Sequence, residues 1–231
     1  MALIVLPGGQ QQSGSIGGTV YSHNRSGTYV RNRSVPVNPN TDRQVAARNT
    51  LRALSIAWQT TLTEEQRSYW EAYAQLVPWL NKLGQAIFLT GLAHYVRTNS
   101  SRIQAGLARL DDAPTTYTLA PAEGSLVPSA SAATQELNVA YDDTQDWCDT
   151  DGAYQSVFMG IPVNAGIKFF GGPWRYAGVI LGDSVSPPTT PATIACPFPM
   201  VEGQRIWVRT RIGLADGRLS EFAQANFLGG A

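Results

Sequence analysis

Apolar and polar positions change their period along the chain, and the changes predict three parts. Residues 1–40 hold short β-like runs separated by Gly, Asn and Pro. Residues 41–112 repeat apolar positions every three or four residues, which predicts helices, whereas residues 113–231 favour alternation with a period of two, which predicts strands. We therefore expect an α+β protein with an extended N-terminal β-hairpin arm, a small helical domain and a C-terminal antiparallel β-sandwich.

The arm is predicted from residues 19–22 and 28–31, which are rich in β-branched and aromatic side chains. They flank Arg25-Ser26-Gly27, a sequence typical of a hairpin turn. Pro36 and Pro39 then hold the backbone extended and prevent a helix before position 40. A two-stranded hairpin by itself is at best marginally stable in water. We therefore expect the arm to pack on the protein's own helices or on a neighbouring chain.

Two capping boxes mark the expected starts of helices. Thr41 precedes a helix that begins at Asp42, with Gln44 three residues on, and Thr63 stands in the same relation to Gln66. Glutamate, arginine and aromatic residues follow Thr63 until Pro78, which is expected to end the second helix.

Later apolar positions predict two more helices, over residues 87–98 and 101–110. The spacing places Phe88, Leu92, Tyr95 and Val96 on the inward face of the first of these. The tryptophans of the helical part are expected to be core residues rather than ligand-binding ones: Trp58, Trp70 and Trp79.

Short strands separated by Pro- and Gly-containing turns are predicted after residue 133. They are expected at 136–141, 153–159, 174–181, 193–196, 205–214 and 219–227. Residues 215–217, Ala-Asp-Gly, form the turn between the last two, and this pair resembles the final hairpin of immunoglobulin-like or fibronectin-type-III modules. The immunoglobulin Cys…Trp…Cys spacing is absent. Residues 120–133 are either a linker or an irregular first strand.

Charge is distributed unevenly although the net charge is zero. Residues 1–60 contain six arginines and one acid, and residues 111–167 contain nine acids and no Lys or Arg. Such asymmetry suits head-to-tail association of a basic end with an acidic neighbour, or two unrelated solvated surfaces. Nucleic acid is not the expected partner, because the basic end carries few lysines. The N-terminal apolar run is too short for a signal peptide, and no window suits a membrane span.

Catalytic and metal-binding patterns are missing from the sequence. The only histidines, His23 and His94, have no partner at metal-ligand spacing, and no nucleophile-elbow, Walker or dinucleotide-binding motif occurs. The acidic run 142–152 lacks the terminal Glu of an EF-hand loop, so a solvated loop is favoured over a Ca²⁺ site. Cys148 and Cys196 are expected as reduced thiols, with a single disulfide as the alternative. We expect no cofactor, no metal and no enzymatic activity.

The N-terminal half contains an ordered series of short motifs. A Gly-Gly hairpin and the sequences Arg-Asn-Arg and Val-Pro-x-Asn-Pro-x-Thr lie in residues 17–41, and the pattern Leu-Thr-x-x-Gln-Arg-x-x-Trp lies at 62–70. This series resembles a group of proteins encoded by tailed bacteriophages and prophages. The resemblance covers about residues 13–100 and continues through Leu83-Gly84-Gln85. It implies a non-enzymatic structural component of the virion. Immunoglobulin-like domains are common appendages of such proteins.

The first functional expectation is an auxiliary protein of the phage head, a decoration or cement subunit that docks through its arm. A head–tail connector, adaptor or baseplate protein is the alternative, and a carbohydrate- or host-surface-binding module is the second. The partners would be major capsid, portal or tail subunits and further copies of the chain. The expected assembly residues are Val20, Tyr21, Arg25, Tyr29, Val30, Arg31 and Arg33, and the expected surface-binding residues are Trp174, Tyr176 and Trp207.

Overall fold

A computed structural model describes residues 2–3, 13–24, 27–80 and 85–230, and these contain three helices and thirteen strands. The helices are α1 (Asp42–Thr60), α2 (Glu64–Leu76) and α3 (Gly91–Gln104). The strands are β1 (Ala2–Leu3), β2 (Gly14–Ile16), β3 (Thr19–Asn24), β4 (Gly27–Asn32), β5 (Trp79–Leu80), β6 (Ala86–Ile87), β7 (Val127–Ser131), β8 (Glu136–Ala140), β9 (Tyr154–Gly160), β10 (Trp174–Leu181), β11 (Ala192–Ala195), β12 (Arg205–Gly213) and β13 (Ala223–Leu228). The protein is therefore of the mixed helix-and-sheet class, and its sheets are antiparallel.

The chain divides into two compact units, Met1–Val45 and Ala46–Ala231. The first contains a four-stranded sheet in the order β1-β4-β3-β2. The predicted hairpin strands are present as β3 and β4, with Tyr21 opposite Val30 and Val20 opposite Arg31. The pairing of β1 and β2 at its two sides was not predicted. The predicted domain boundaries at residues 40 and 112 stay predictions.

Helices α1 and α2 form where the capping sequences place them. The Thr63 side chain accepts a hydrogen bond from the Gln66 amide, and the Gln66 side chain accepts one from the Thr63 amide, so the second capping box is complete. Helix α2 ends two residues before Pro78. Trp70 and Tyr95 lie at the centre of the cluster formed by the helices, while Trp58 packs against it. The prediction that the tryptophans are core residues is confirmed, since Trp79 is buried as well.

Helix α3 differs from the prediction in its limits and in its inward face. It begins at Gly91 and runs through Gln104, so the predicted fourth helix over 101–110 is wrong: Gly106 leaves the helix with a φ of +80°. Phe88 precedes the helix and is 63% exposed, and Leu92 is also exposed. The buried positions besides Tyr95 are mostly small or polar: Gly91, His94, Thr98, Asn99 and Arg102.

Those polar residues join α3 to the loops and the β-rich region. The Thr98 hydroxyl donates to the carbonyl of Gly217 at 3.0 Å, and Arg102 donates to the carbonyls of Ala108 and Gly152. Asn99 donates to the Leu110 carbonyl at 2.8 Å and accepts from the Leu110 amide at 2.7 Å. A purely apolar helix face would leave these backbone groups without partners, which is costly in a buried position.

The β-rich region contains a four-stranded sheet, β10-β9-β12-β13, and a three-stranded sheet, β11-β8-β7. Both contribute side chains to one core, including Leu137 and Val139 of β8 and Val157, Ile206 and Ile212 of the larger sheet. The predicted strands all occur within a few residues, and 174–181 matches β10 at both ends. Residues 127–131 form β7, so the segment 120–133 contains a strand and is not only a linker.

Candidate functional site

Five of the seven predicted assembly residues lie on the paired strands β3 and β4 of the N-terminal sheet. Val20, Tyr21, Tyr29 and Val30 are half-buried on β3 and β4, and Arg31 is exposed. Arg33 follows β4, is exposed, and its amide donates to the Gly18 carbonyl. Arg25 lies outside the described residues.

No side chain described between residues 13 and 49 is buried. Strand β2 is one of the two edge strands of the sheet and is exposed along its whole length, with Ile16 72% exposed. The extended segment after β4 carries two further exposed apolar residues, Val35 and Val37, the latter 88% exposed. This unit therefore presents an open strand edge and apolar side chains to its surroundings, which are the features that lead strands of other proteins to pair.

A second surface lies on the side of the four-stranded sheet that faces away from the shared apolar core, and we call it the arginine–aromatic face. Helix α3 covers part of it, since the Tyr176 hydroxyl donates to the Gln104 carbonyl at 3.2 Å. Two of its members are the predicted binding residues Trp174 and Tyr176 of β10, which are half-buried. Trp207 of β12 is only 8% exposed, because it stacks on Phe170 at 6.4 Å between ring centres. Trp207 is therefore buried beneath this surface and has no ring face open to a ligand.

Three arginines complete the arginine–aromatic face: Arg209 and Arg211 from β12 and Arg97 from α3. The guanidinium carbon of Arg209 lies 4.2 Å from the centre of the Phe222 ring and 4.6 Å from that of Trp174. That of Arg211 lies 3.7 Å from the Phe222 ring centre. Sequence analysis missed these arginines, although the alternation Trp207, Arg209, Arg211 on one side of a strand was visible.

Arg97 and Arg211 converge on the same indole. Their guanidinium carbons lie 3.3 Å and 5.4 Å from the centre of the Trp79 ring. The aromatic rings therefore hold three positive charges close together by cation–π contacts, in which each guanidinium group is attracted to the face of a ring.

Burial, followed by the nearby positive charges of Arg97 and Arg209, lowers the pKa of Arg211 to about 9. Burial also lowers the pKa values of Arg97 and Arg209. The two ion pairs among the described residues, Arg109–Asp111 and Arg218–Asp216, involve none of these three. The cluster thus concentrates positive charge that no carboxylate of the described chain neutralises by direct contact.

The isolated histidine of α3 is enclosed rather than placed at an active site. His94 is buried, with its ring 5.1 Å from that of Tyr73 and 6.3 Å from that of Trp79, centre to centre. Burial lowers its pKa to about 4, with a further contribution from Arg97. A base needs access to a substrate, and His94 has none.

The acidic run 142–152 and the two cysteines are the residues that the sequence offers for metal binding or for a disulfide. In the ranges 2–3, 13–24, 27–80 and 85–230, no three His, Cys, Asp or Glu side chains are grouped so that they could hold a metal ion. In the acidic run, Asp142 accepts from the Thr144 amide and hydroxyl, and Asp151 accepts from the Ser184 amide. Both cysteines are free, Cys148 in the core and Cys196 half-buried.

Comparison with known proteins gives no further assignment: no family model matches the sequence, and no curated protein matches it either. Within the described part of the chain, no helix combines the length and the apolar character that a bilayer crossing requires.

Proposed function

We propose that this chain is a non-enzymatic structural protein of a tailed-phage virion, which joins the particle through its N-terminal unit. The proposal combines the sequence resemblance over residues 13–100 with the open surface of that unit. Its partners would be major capsid, portal or tail subunits and other copies of the chain, and its location would be the virion.

The observation that carries the proposal is the contrast between pairing and burial in the N-terminal sheet. Strands β3 and β4 pair along six residues each, yet no described side chain there is buried. A sheet gains much of its stability from a covered apolar face, and an exposed edge readily accepts another strand. Docking on a subunit of the particle would cover Ile16 and Val37 and pair the edge of β2, which is β-augmentation.

The β-rich region would project from the particle as an immunoglobulin-like β-sandwich. Two facts support this finer description of the fold: the two antiparallel sheets share one apolar core, and the turn 214–218 joins the last strands as a hairpin. A projecting domain on a docked arm suits an auxiliary head protein, a decoration or cement subunit. A head–tail connector, adaptor or baseplate role is the alternative within the same proposal.

A carbohydrate- or host-surface-binding module is the second candidate function. It is favoured by the rings of Trp174 and Tyr176, which are half-buried on the same face of β10; the Tyr176 hydroxyl donates to the Gln104 carbonyl. Aromatic faces of this kind stack on sugars. A glycan array probed with the full chain would show binding that is lost in Trp174→Ala.

The decisive experiment removes residues 2–34 and measures how much of the protein is present on purified particles. Every side chain identified as buried belongs to the second unit, so the truncated chain is expected to remain folded by circular dichroism and free of aggregates by light scattering. Its occupancy on the particle is expected to fall to background. Wild-type occupancy of the truncated chain would refute docking through this unit.

A point variant with a matched control sharpens the result. Arg31→Glu combined with Arg33→Glu reverses two exposed charges of the N-terminal unit, and Arg52→Glu reverses one exposed charge on α1. We expect the first variant to lower occupancy about tenfold or more and the control to leave it unchanged, since rim charges act mainly on association. Electron microscopy of the particle would then distinguish head from neck and tail.

A further inference from the structure

The three guanidinium groups of the arginine–aromatic face find no hydrogen-bond acceptor in the part of the chain that the structure describes. Arg97, Arg209 and Arg211 donate no hydrogen bond to any described residue, although each is at least half-buried. The Nε atoms of Arg209 and Arg211 are fully buried without a partner. Buried donors without acceptors are rare in folded proteins, because each costs part of its hydration free energy.

The same arginines can still reach a ligand. Their terminal amino nitrogens are not among the buried atoms that lack a partner, although no described residue accepts a hydrogen bond from them, so they keep contact with solvent. Of the three, Arg209 lies over the rings of both Phe222 and Trp174. No described carboxylate lies within ion-pair distance of these three arginines. A carboxylate that approached from outside would meet planar donors already held in place by aromatic rings.

An acidic loop of the chain has the complementary charge. Residues 142–151 connect β8 to β9, and Asp142, Asp143 and Asp151 accept hydrogen bonds from neighbouring backbone or hydroxyl groups. Asp146 and Asp149 are exposed, and neither carboxylate accepts a hydrogen bond from a described residue. They are therefore available to a partner, while the rest of the loop is fixed by its own contacts.

We propose that the arginine–aromatic face binds the carboxylates of Asp146 and Asp149 from a second copy of this chain. The two surfaces are different, so the contact is head-to-tail: each copy offers its loop to one neighbour and its face to another. Charge complementarity favours this loop as the group that the arginines bind, since it lies in a stretch of nine acids, residues 111–167, that contains no Lys or Arg. The contact uses no residue of the N-terminal unit and stands apart from the docking proposed above.

The test measures self-association of the full chain by analytical sedimentation at low and at high ionic strength. Wild type is expected to form oligomers at low salt that dissociate as salt screens the charges. Asp146→Asn with Asp149→Asn removes the loop charges, and Arg209→Gln with Arg211→Gln removes two charges of the face. Each double variant alone is expected to weaken association about tenfold or more.

Mixing the two double variants gives the most specific result. The loop variant keeps its face and the face variant keeps its loop, so the mixture should form a one-to-one dimer and no larger species. Glu202→Gln and Arg52→Gln, which neutralise exposed charges elsewhere, are the matched controls and should associate as wild type does.

Two outcomes would overturn the proposal. The first is wild-type association of either double variant, and the second is a monomeric wild type at low salt. If that monomer binds soluble poly-glutamate, the face belongs to another acidic protein. If the face variant does not fold, the exposed loop variant still decides, because its substitutions lie outside the core.

Discussion

In the N-terminal unit the described side chains between residues 13 and 45 are at most half-buried, whereas the second unit buries large residues completely, such as Trp70, Tyr154 and Ile212. Both units contain well-paired antiparallel strands. The difference therefore lies in what covers the strands, not in whether they pair. Hydrogen-bonded ladders define the shape of a unit, while apolar burial supplies most of its stability.

This contrast separates the tasks that we assign to the two units. The second unit holds its fold by itself, so it can present surfaces such as the arginine–aromatic face at fixed positions. The first presents strand edges and apolar side chains that gain stability when another molecule covers them. Substitutions should therefore affect unfolding in the second unit and assembly in the first.

The largest expected effect on stability is that of Trp70→Ala. Trp70 is fully buried, its ring contacts those of Tyr73 and Tyr95, and its Nε1 donates to the Asp111 carbonyl at 2.9 Å. Truncating it leaves a cavity and an unpaired carbonyl, so we expect the free energy of unfolding to fall by about 3 to 5 kcal/mol. Chemical denaturation monitored by circular dichroism measures the change.

The control for this substitution is Leu76→Ala in the same helix. Leu76 is 55% exposed, so its truncation should change the free energy of unfolding by less than about 0.5 kcal/mol. Equal losses for the two variants would contradict the placement of the helical core.

A smaller effect is expected from the protonation of His94. Its folded-state pKa is about 4, below the ordinary value of 6.5, so between these pH values the unfolded state binds more protons. The stabilising contribution is complete above pH 6.5 and is lost as the pH falls toward 4. We expect the free energy of unfolding to decrease by about 1 to 2 kcal/mol between pH 7 and pH 5 from this group.

Denaturation curves of wild type and His94→Gln at several pH values measure that contribution. The variant is expected to be less stable at pH 7, because it loses the ring contacts, but its stability should depend less on pH between 7 and 5. The same slope in both proteins would show that His94 is not responsible.

The smallest expected changes in the free energy of unfolding come from two capping residues that share one sequence pattern, Thr63 and Thr41. Thr63→Ala removes a complete capping box at the start of α2, which packs in the core, and should lower the free energy of unfolding by about 1 kcal/mol. Thr41→Ala changes the start of α1, whose first turn is entirely exposed, and should cost less than about 0.3 kcal/mol. Thermal unfolding of the two variants in parallel tests the difference, and a larger loss for Thr41→Ala would reverse our assignment of stability to the second unit.

Local sequence signals predicted the strands and the starts of α1 and α2 well. The alternation of Ile206, Val208, Thr210 and Ile212 placed β12 correctly, and the Thr63–Gln66 spacing located α2. Such signals depend only on neighbours in the sequence, so they survive in the folded chain.

The errors occurred where distant residues decide the environment. Thr98, Asn99 and Arg102 are polar, and their partners at Gly217, Leu110 and Gly152 cannot be paired with them from a hydrophobic period. Trp207 was expected at the surface because strands often have one solvated face, yet Phe170 covers it. The arginine–aromatic face likewise brings together α3, β10 and β12, which are far apart in the sequence.

The hydrogen bonds of α3 to the β-rich region have a consequence for modular exchange. Residue 112 lies near a change of composition and would be a natural point at which to recombine gene segments. A cut there would separate Thr98 and Arg102 from the carbonyls of Gly217 and Gly152 and would uncover the buried Tyr154 ring. Crossovers near residue 45 would instead keep α3 and the β-rich region together, so we expect the N-terminal unit to be the part that can be replaced by recombination.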